Sequence, residues 1–217
     1  MKAFVITIKD LDKSVESAKR CISSAKPQFD IEMFSAITPK DNPEKIFKEK
    51  GITSQYFTES YSRRENCMAA FLSHYSLWEM CAKMNEEFTI FEHDALVVGH
   101  IPEFLGYTGC ISLGAPSYGS YQTPMSFGLV PLTSKKYFPG AHAYRLNSSA
   151  AKTFIDAAKN VALPTDIFLD IRRFPWLQEY YPWPVIAKDT FTTIQVKAGC
   201  VAKHNWIENK YEIISHA

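Results

Sequence analysis

The chain lacks paired cysteines, long apolar runs and an excess of charge of either sign. Its five cysteines show no C-x-x-C pair and no zinc-like spacing with histidine, and such a scattered, odd set is typical of a reducing compartment. No apolar run approaches the roughly 20 residues that span a bilayer, and a strand pattern begins at Met1 with no charged leader before it. We therefore expect a cytoplasmic protein without a transmembrane segment.

The charge balance argues against partners that are attracted mainly by an electrostatic field. The 24 Lys and Arg residues nearly balance the 23 Asp and Glu residues, and the formal net charge of +1 offers no general attraction to nucleic acid or to an anionic membrane. Two basic pairs, Arg63-Arg64 and Arg172-Arg173, are open to two interpretations, a phosphate contact or a solvated helix face. With 217 residues, 46% of them hydrophobic, the chain is long enough for one domain over residues 1–217 with a substantial core.

The order of elements in the first forty residues predicts an α/β fold. Residues 3–8 are rich in β-formers, residues 12–24 place apolar side chains at helical spacing, and residues 31–37 have the pattern of a second strand. This β-α-β order predicts a Rossmann-like sheet with parallel strands and flanking helices. Residues 65–84 repeat apolar side chains every three or four positions, which predicts a long helix packed on that sheet.

Residues 88–94, F-T-I-F-E-H-D, form a buried strand pattern that runs directly into two acids. Positions two apart on a strand point the same way, so Glu92 and Asp94 can face one cleft at the carboxyl end of the strand, where open α/β sheets bind their ligands. Two carboxylates at one edge suit Mg²⁺ or Mn²⁺ carrying a phosphate group. A strand that ends in a solvated acidic turn is the alternative.

Several segments, taken in order, resemble glycosyltransferase family 25, the lipopolysaccharide and collagen sugar transferases. Residues 4–9, F-V-I-T-I-K, are similar to the opening V-I-N-L-K strand of the family, and residues 66–78 resemble its G-C-x-x-S-H-x-x-x-W helix. Residues 88–94 stand where the family has an apolar strand and E-D-D. Residues 140–147 resemble G-x-x-A-Y-x-I-S, and residues 163–166 resemble the P-x-D that follows. Two departures are His93, in place of the middle acid, and Thr7, in place of the early Asn.

The resemblance implies a GT-A type fold, a Rossmann-like mixed sheet flanked by helices, that binds a nucleotide sugar such as a UDP-hexose with a divalent metal. Asp94 is then expected to coordinate Mn²⁺ or Mg²⁺, with Glu92 as a second ligand on the same donor complex. Thr7 and Lys9 are expected to line the base pocket and Arg63 to hold phosphate. His93 is expected either to contact ribose or metal, or to be an imidazole that packs at the surface.

The chemistry also requires a base that takes the proton of the acceptor hydroxyl. The resemblance implies that the acceptor is a glycan or lipopolysaccharide. Asp166 matches the P-x-D of the family and is the predicted base of an inverting transfer. The alternative is a structural role, in which Asp166 belongs to a normal helix start and its charge complements the helix dipole. Asp170, one turn later, is the second candidate for the base.

Two questions stay open at this point. Residues 115–140 combine prolines, glycines and tyrosines with little periodicity, which predicts a long active-site loop. The loop contains four candidate rings, Tyr118, Tyr121, Phe127 and Tyr137. These rings can stack on a sugar or form a small core of the loop itself. The second question is whether the chain catalyses transfer at all, because a relative that binds nucleotide sugar or carbohydrate without catalysis would have the same motifs.

Overall fold

A mixed β-sheet forms the centre of the molecule. The computed structural model describes residues 2–59, 62–103, 106–188, 190–196 and 212–214. The helices are α1 (Asp12–Ala25), α2 (Pro43–Glu49), α3 (Arg64–Met84), α4 (Ser148–Asn160) and α5 (Thr165–Phe168), with a 3₁₀ turn at Pro39–Asp41. The strands are β1 (Lys2–Thr7), β2 (Glu32–Ser35), β3 (Phe88–Glu92), β4 (Ala95–Val97), β5 (Cys110–Ser112), β6 (Gly128–Pro131), β7 (Ala143–Leu146), β8 (Gln178–Tyr181), β9 (Val185–Ala187), β10 (Phe191–Thr192) and β11 (Glu212–Ile213).

Seven strands pair in the order β2-β1-β3-β7-β5-β8-β6. The first three run parallel, as the β-α-β pattern predicted, with β1 between β2 and β3. The later strands pair in both senses. Strand β7 is antiparallel to β3 and β5, whereas β8 is parallel to β5 and antiparallel to β6. The predicted fold class, a mixed α/β sheet flanked by helices, is confirmed.

Strand β1 shows how the sheet separates two cores. Phe4 and Ile6 point to the side of α3 and α4, whereas Ala3 and Val5 point to the side of α1, since successive side chains on a strand face opposite ways. The α3 side is larger and rich in aromatic rings, and the α1 side is smaller and combines alanines such as Ala18 with aliphatic side chains. The long helix α3 is therefore buried on most of its faces, between the sheet, α2 and α4.

The four-residue helix α5 is held by aromatic packing. The ring of Phe168 stacks on Trp78 of α3 at 5.4 Å between centroids, and it meets the edges of Phe71 and Phe154 at 5.5 and 6.2 Å. Helices this short have little stability of their own. Packing of Phe168 therefore fixes where Asp166, two residues earlier, lies.

The predicted loop over residues 115–140 was wrong in part, because it contains strand β6. Gly128 pairs with Tyr181 and Pro131 with Gln178 in an antiparallel ladder with β8. Glycine and proline at its two ends hide this edge strand from a pattern search. In the part of the chain that the structure describes, no helix has both the length and the apolarity to cross a bilayer.

Candidate active site

A cavity of about 570 Å³ opens beside the carboxyl end of β3. Two walls of this cavity carry acids. The strand wall consists of Glu92, the last residue of β3, and Asp94 in the turn that follows. The loop wall consists of Tyr118, from the segment after β5, and Asp166 of α5. The two walls are close enough for their charges to interact, because the charge of Glu92 adds to the burial that raises the pKa of Asp166.

The strand wall differs from the predicted geometry in one detail. Glu92 is the last residue of β3, but Asp94 lies in the turn between β3 and β4 rather than on the strand. Both side chains nevertheless line the same cavity. The turn is fixed by its backbone, since the carbonyl of Asp94 accepts a hydrogen bond from the Lys188 N–H at 2.8 Å. The two acids predicted as a pair therefore border the same cavity.

The chemistry of this pair suits a hard divalent cation that retains water. Among the described residues, no group of three or more His, Cys, Asp or Glu side chains is arranged as a metal site. Two carboxylates do not form a complete protein cage, but Mg²⁺ is usually held by one or two carboxylates together with water and substrate phosphates. Glu92 and Asp94 thus fit a cation that arrives with a diphosphate, and they do not fit a structural zinc site.

A buried hydrogen-bond chain supports Glu92 from behind. The indole N–H of Trp78 donates to the Tyr144 hydroxyl at 2.9 Å, His74 Nδ1 lies 2.9 Å from the same hydroxyl, and His74 Nε2 lies 3.0 Å from Glu92 Oε1. An indole can only donate, so the Tyr144 oxygen accepts from Trp78 and its own hydrogen is left for His74 Nδ1. His74 therefore carries its proton on Nε2 and donates it to Glu92. Sequence analysis did not anticipate this chain, since its members are 18 to 70 residues apart.

Asp166, the predicted base, lies on the loop wall in a desolvated position. Burial raises the pKa of its carboxyl above the ordinary value, and hydrogen bonds from the Tyr118 hydroxyl and the Ile167 N–H oppose part of that shift. A carboxyl with a raised pKa is closer to the range in which a general base works well. Asp166 is in the second position of α5 and bonds the neighbouring N–H, so it also has a local structural role.

Asp170, the second candidate, is placed differently. Its carboxylate is buried and binds the Arg172 guanidinium at 2.7 Å together with the Arg172 N–H. Burial raises the pKa of Asp170, but the hydrogen bonds and charge of Arg172 outweigh it, and the net pKa lies below the ordinary value. Asp170 is not among the residues that line the cavity. The choice of Asp170 as an alternative base is therefore not supported by its position.

A smaller apolar pocket of about 80 Å³ adjoins the cavity at the ends of β1 and β2. Its wall includes Ile8, which stands between the predicted base-pocket residues Thr7 and Lys9. The Thr7 side chain is fully buried and donates to the Val5 carbonyl at 3.0 Å, and Lys9 is exposed in the turn after β1. The structure thus places a pocket where the base was expected, with Ile8 rather than Thr7 or Lys9 on its wall.

His93 is packed, as the structural interpretation expected, and it also reaches the small pocket. Its ring stacks on Phe191 at 5.1 Å between centroids and 12° between planes, and its Nδ1 lies 3.0 Å from the Ser14 hydroxyl. Ser14 in turn accepts a hydrogen bond from the Ile8 N–H at 2.9 Å. His93 therefore connects β3 with α1 and with the strap described next.

A carboxyl-terminal strap, residues 191–195, runs along the cavity and the small pocket. Ile194 lines both spaces. Arg63 is the predicted phosphate contact. Its guanidinium donates to the carbonyls of Thr193 and Ile214, and its backbone N–H donates to the Ile194 carbonyl at 2.7 Å. Arg63 is not among the residues that line either space. Its contacts make it the residue that fastens the strap to the start of α3.

Comparison with known proteins decides the family. The model of glycosyltransferase family 25 (LPS biosynthesis protein) matches residues 1–109, half of the chain. The chain belongs to glycosyltransferase family 25. The resemblance seen in the sequence is thereby confirmed. The family match contains the strand wall, Glu92 and Asp94, and it ends before the loop wall.

Other comparisons add little to this family 25 assignment. No curated protein matches the chain. Among solved structures, A197 from STIV is similar at 10% identity and a TM-score of 0.43, over 82% of this chain and 81% of that one. The glycosyltransferase GlyE from Streptococcus pneumoniae TIGR4 is similar at 12% identity and a TM-score of 0.40, over 83% of this chain and 45% of GlyE. Its apo form gives 11% identity and the same TM-score. The assignment therefore rests on the family model.

Proposed function

We propose that the chain is a metal-assisted hexosyltransferase with a GT-A type fold. It takes a hexose from a nucleotide-diphosphate sugar, a UDP-hexose, and transfers it with inversion to a hydroxyl of a glycan or lipopolysaccharide acceptor. One observation carries the proposal: in a chain of glycosyltransferase family 25, the carboxylates Glu92, Asp94 and Asp166 line a single cavity of about 570 Å³. A cavity of this size is in the range of small-molecule sites.

The strand wall is assigned to the donor. Glu92 and Asp94 would hold Mn²⁺ or Mg²⁺, and the bound cation would neutralise the negative charge of the departing diphosphate. Both acids are held by other parts of the chain: His74 keeps one oxygen of Glu92 in place, and the backbone N–H of Lys188 bonds the backbone carbonyl of Asp94. Groups that are already aligned need no rearrangement during the reaction.

The small apolar pocket is assigned to the nucleobase. It adjoins the cavity at Glu92 and lies at the carboxyl ends of parallel strands, where α/β folds bind nucleotides. Ile8 and Pro39 contribute apolar surface to its wall. Thr7 and Lys9 remain predicted neighbours of the base, and Arg63 remains a predicted phosphate contact that also fastens the strap.

The loop wall is assigned to the acceptor. In an inverting transfer, the acceptor oxygen attacks the anomeric carbon, its proton passes to a carboxylate, and the diphosphate leaves from the opposite face. Asp166 is the carboxylate on that wall, and its desolvated position favours accepting a proton. Tyr118, which bonds Asp166, would give way to the acceptor hydroxyl.

A donor panel tests the proposed function. Thermal shift with UDP-, GDP-, CMP- and dTDP-sugars, each with Mn²⁺ or with EDTA, should show stabilisation by UDP-hexoses that depends on Mn²⁺. Transfer or slow hydrolysis of the same donor should follow. Binding without turnover would identify a catalytically silent relative, and no shift with any donor would reject the proposal.

A further inference from the structure

Four aromatic side chains form a surface cluster that the proposed reaction does not use. Phe127 is 80% exposed and Tyr121 45% exposed, and the partly buried Tyr181 and Trp183 lie against them. We call these four residues the aromatic platform. Single exposed apolar residues are ordinary, but a contiguous patch of large rings on a folded surface usually marks a binding site.

The rings of the platform are held in fixed relative positions. Phe127 stacks on Tyr181 at 5.8 Å and 15°, Trp183 meets Tyr181 edge-on at 5.0 Å, and Tyr121 meets Trp183 edge-on at 5.7 Å. The Trp183 indole N–H donates at 3.0 Å to Glu179, a fully buried carboxylate. A surface whose rings are already ordered loses little conformational entropy on binding.

The composition of the platform selects an uncharged ligand with hydroxyl groups. Residues 121–128 and 180–184 contain no charged side chain, and they offer hydroxyl and amide groups beside the rings. Nucleic acid and anionic membranes require Lys or Arg at the contact. A pyranose ring has an apolar C–H face that fits an aromatic ring, and a rim of hydroxyls that fits Tyr, Ser, Thr and Gln side chains.

The platform is close to the cavity along the chain. Tyr118 lines the cavity, and Tyr121 is three residues later, so their Cα atoms are at most about 11 Å apart. Tyr118 itself is turned inward, where Lys135 lies 4.9 Å from the centre of its ring. The rings that the sequence left open thus divide into an inward group, Tyr118 and Tyr137, and an outward group, Tyr121 and Phe127.

We propose that the aromatic platform is a second carbohydrate-binding site, outside the cavity, for a neutral glycan chain. Stacking of pyranose rings on Phe127 and Tyr121 supplies the affinity, and the neighbouring uncharged polar groups bind the hydroxyls. That this glycan is the acceptor rests on the proposed function; the binding itself does not.

Saturation-transfer difference NMR with the full chain tests the platform. Maltopentaose and an N-acetyllactosamine oligomer serve as probes, with a heparin oligosaccharide as the anionic control, in the presence and absence of saturating UDP and Mn²⁺. We expect saturation transfer to ring C–H protons of a neutral probe that persists when UDP and Mn²⁺ are present. The double variant Tyr121→Ala/Phe127→Ala should bind that probe at least about 10-fold more weakly, the loss expected for two stacking contacts.

Matched controls separate the platform from the fold and from the reaction. The double variant should retain the melting temperature and UDP binding of the native chain, and Met33→Ala, at an exposed apolar residue of β2 at the opposite edge of the sheet, should leave glycan binding unchanged. Absence of saturation transfer with both neutral probes, or equal binding by the double variant, would overturn the proposal. So would light scattering that shows a dimer dissociated by the double variant, since a second copy would then be the occupant. None of these outcomes depends on transferase activity.

Discussion

The two acidic walls of the cavity are built by opposite means. Glu92, on the strand wall, ends a central strand paired on both sides, and its side chain rests on the buried chain of His74, Tyr144 and Trp78. Asp166, on the loop wall, sits in a helix of four residues whose place depends on packing of Phe168. The first wall is rigid through hydrogen bonds, and the second is positioned through contacts that come from distant parts of the chain.

This difference matches a division of labour. Under the proposed function, a cation and a diphosphate would need ligands that do not move, which the end of β3 and the turn after it would supply. Proton transfer from a variable acceptor would need a carboxylate with a raised pKa, and burial raises the pKa of Asp166 on the loop wall. Changes on the strand wall should therefore weaken donor binding, and changes on the loop wall should slow the reaction while donor binding is kept.

The largest effect is expected from Asp94→Asn. Loss of a ligand to the cation removes several kcal/mol of charge stabilisation, so kcat/KM for UDP-hexose should fall about 10⁴-fold. Asp156→Asn, at an exposed acid on α4, is the matched control and should keep native activity. A folded Asp94→Asn protein with native kcat/KM would remove the strand wall from the donor site.

Asp166→Asn should lower kcat about 10³-fold, within the range of general base catalysis, and leave UDP affinity unchanged. Asp170→Asn provides the comparison, because Asp170 is an ion-paired structural residue. It should lower the melting temperature and keep kcat at temperatures where the variant is folded. The low pKa of Asp170 means that its contribution to stability is present above the ordinary carboxyl pKa and is lost as the pH falls through its folded pKa. Equal loss of kcat in both variants would contradict the distinction.

His74→Ala should weaken Mn²⁺-dependent UDP binding by about 10- to 100-fold, the usual cost of losing a residue that orients a metal ligand. His74→Gln keeps an N–H near the position of Nε2 and should recover most of that loss. The ¹⁵N shifts of the His74 ring, measured at one pH, should show the proton on Nε2 in the native chain. A proton on Nδ1 would disprove the orientation inferred from Trp78 and Tyr144.

Tyr118→Phe should produce the smallest change, a displacement of the pH profile. The Tyr118 hydroxyl lowers the pKa of Asp166, so its removal lets burial raise that pKa further. The acidic limb of the kcat/KM profile, which reports the free enzyme, should move to higher pH, since Asp166 must be ionised to accept a proton. Movement to lower pH, or no movement, would mean that Asp166 does not control this limb.

The predictability of the molecule follows the same division. The β-α-β start, the strand ending at Glu92 and helix α3 depend on local patterns, and the predicted helix over residues 65–84 differs from α3 by one residue at its start. Strand β6 was missed because Gly128 and Pro131 obscure it, and its partner β8 lies about fifty residues away. The contact between Arg63 and the strap was not predicted for a similar reason, since its carbonyl partner on Thr193 is 130 residues away.

Binding of Mn²⁺ tests the central assignment most directly. Titration of free Mn²⁺ by electron paramagnetic resonance, with saturating UDP, should show one bound ion per native chain. Asp94→Asn should show none, and Asp166→Asn should bind as the native chain does. Equal Mn²⁺ binding by the native and Asp94→Asn chains, or none by either, would contradict the account.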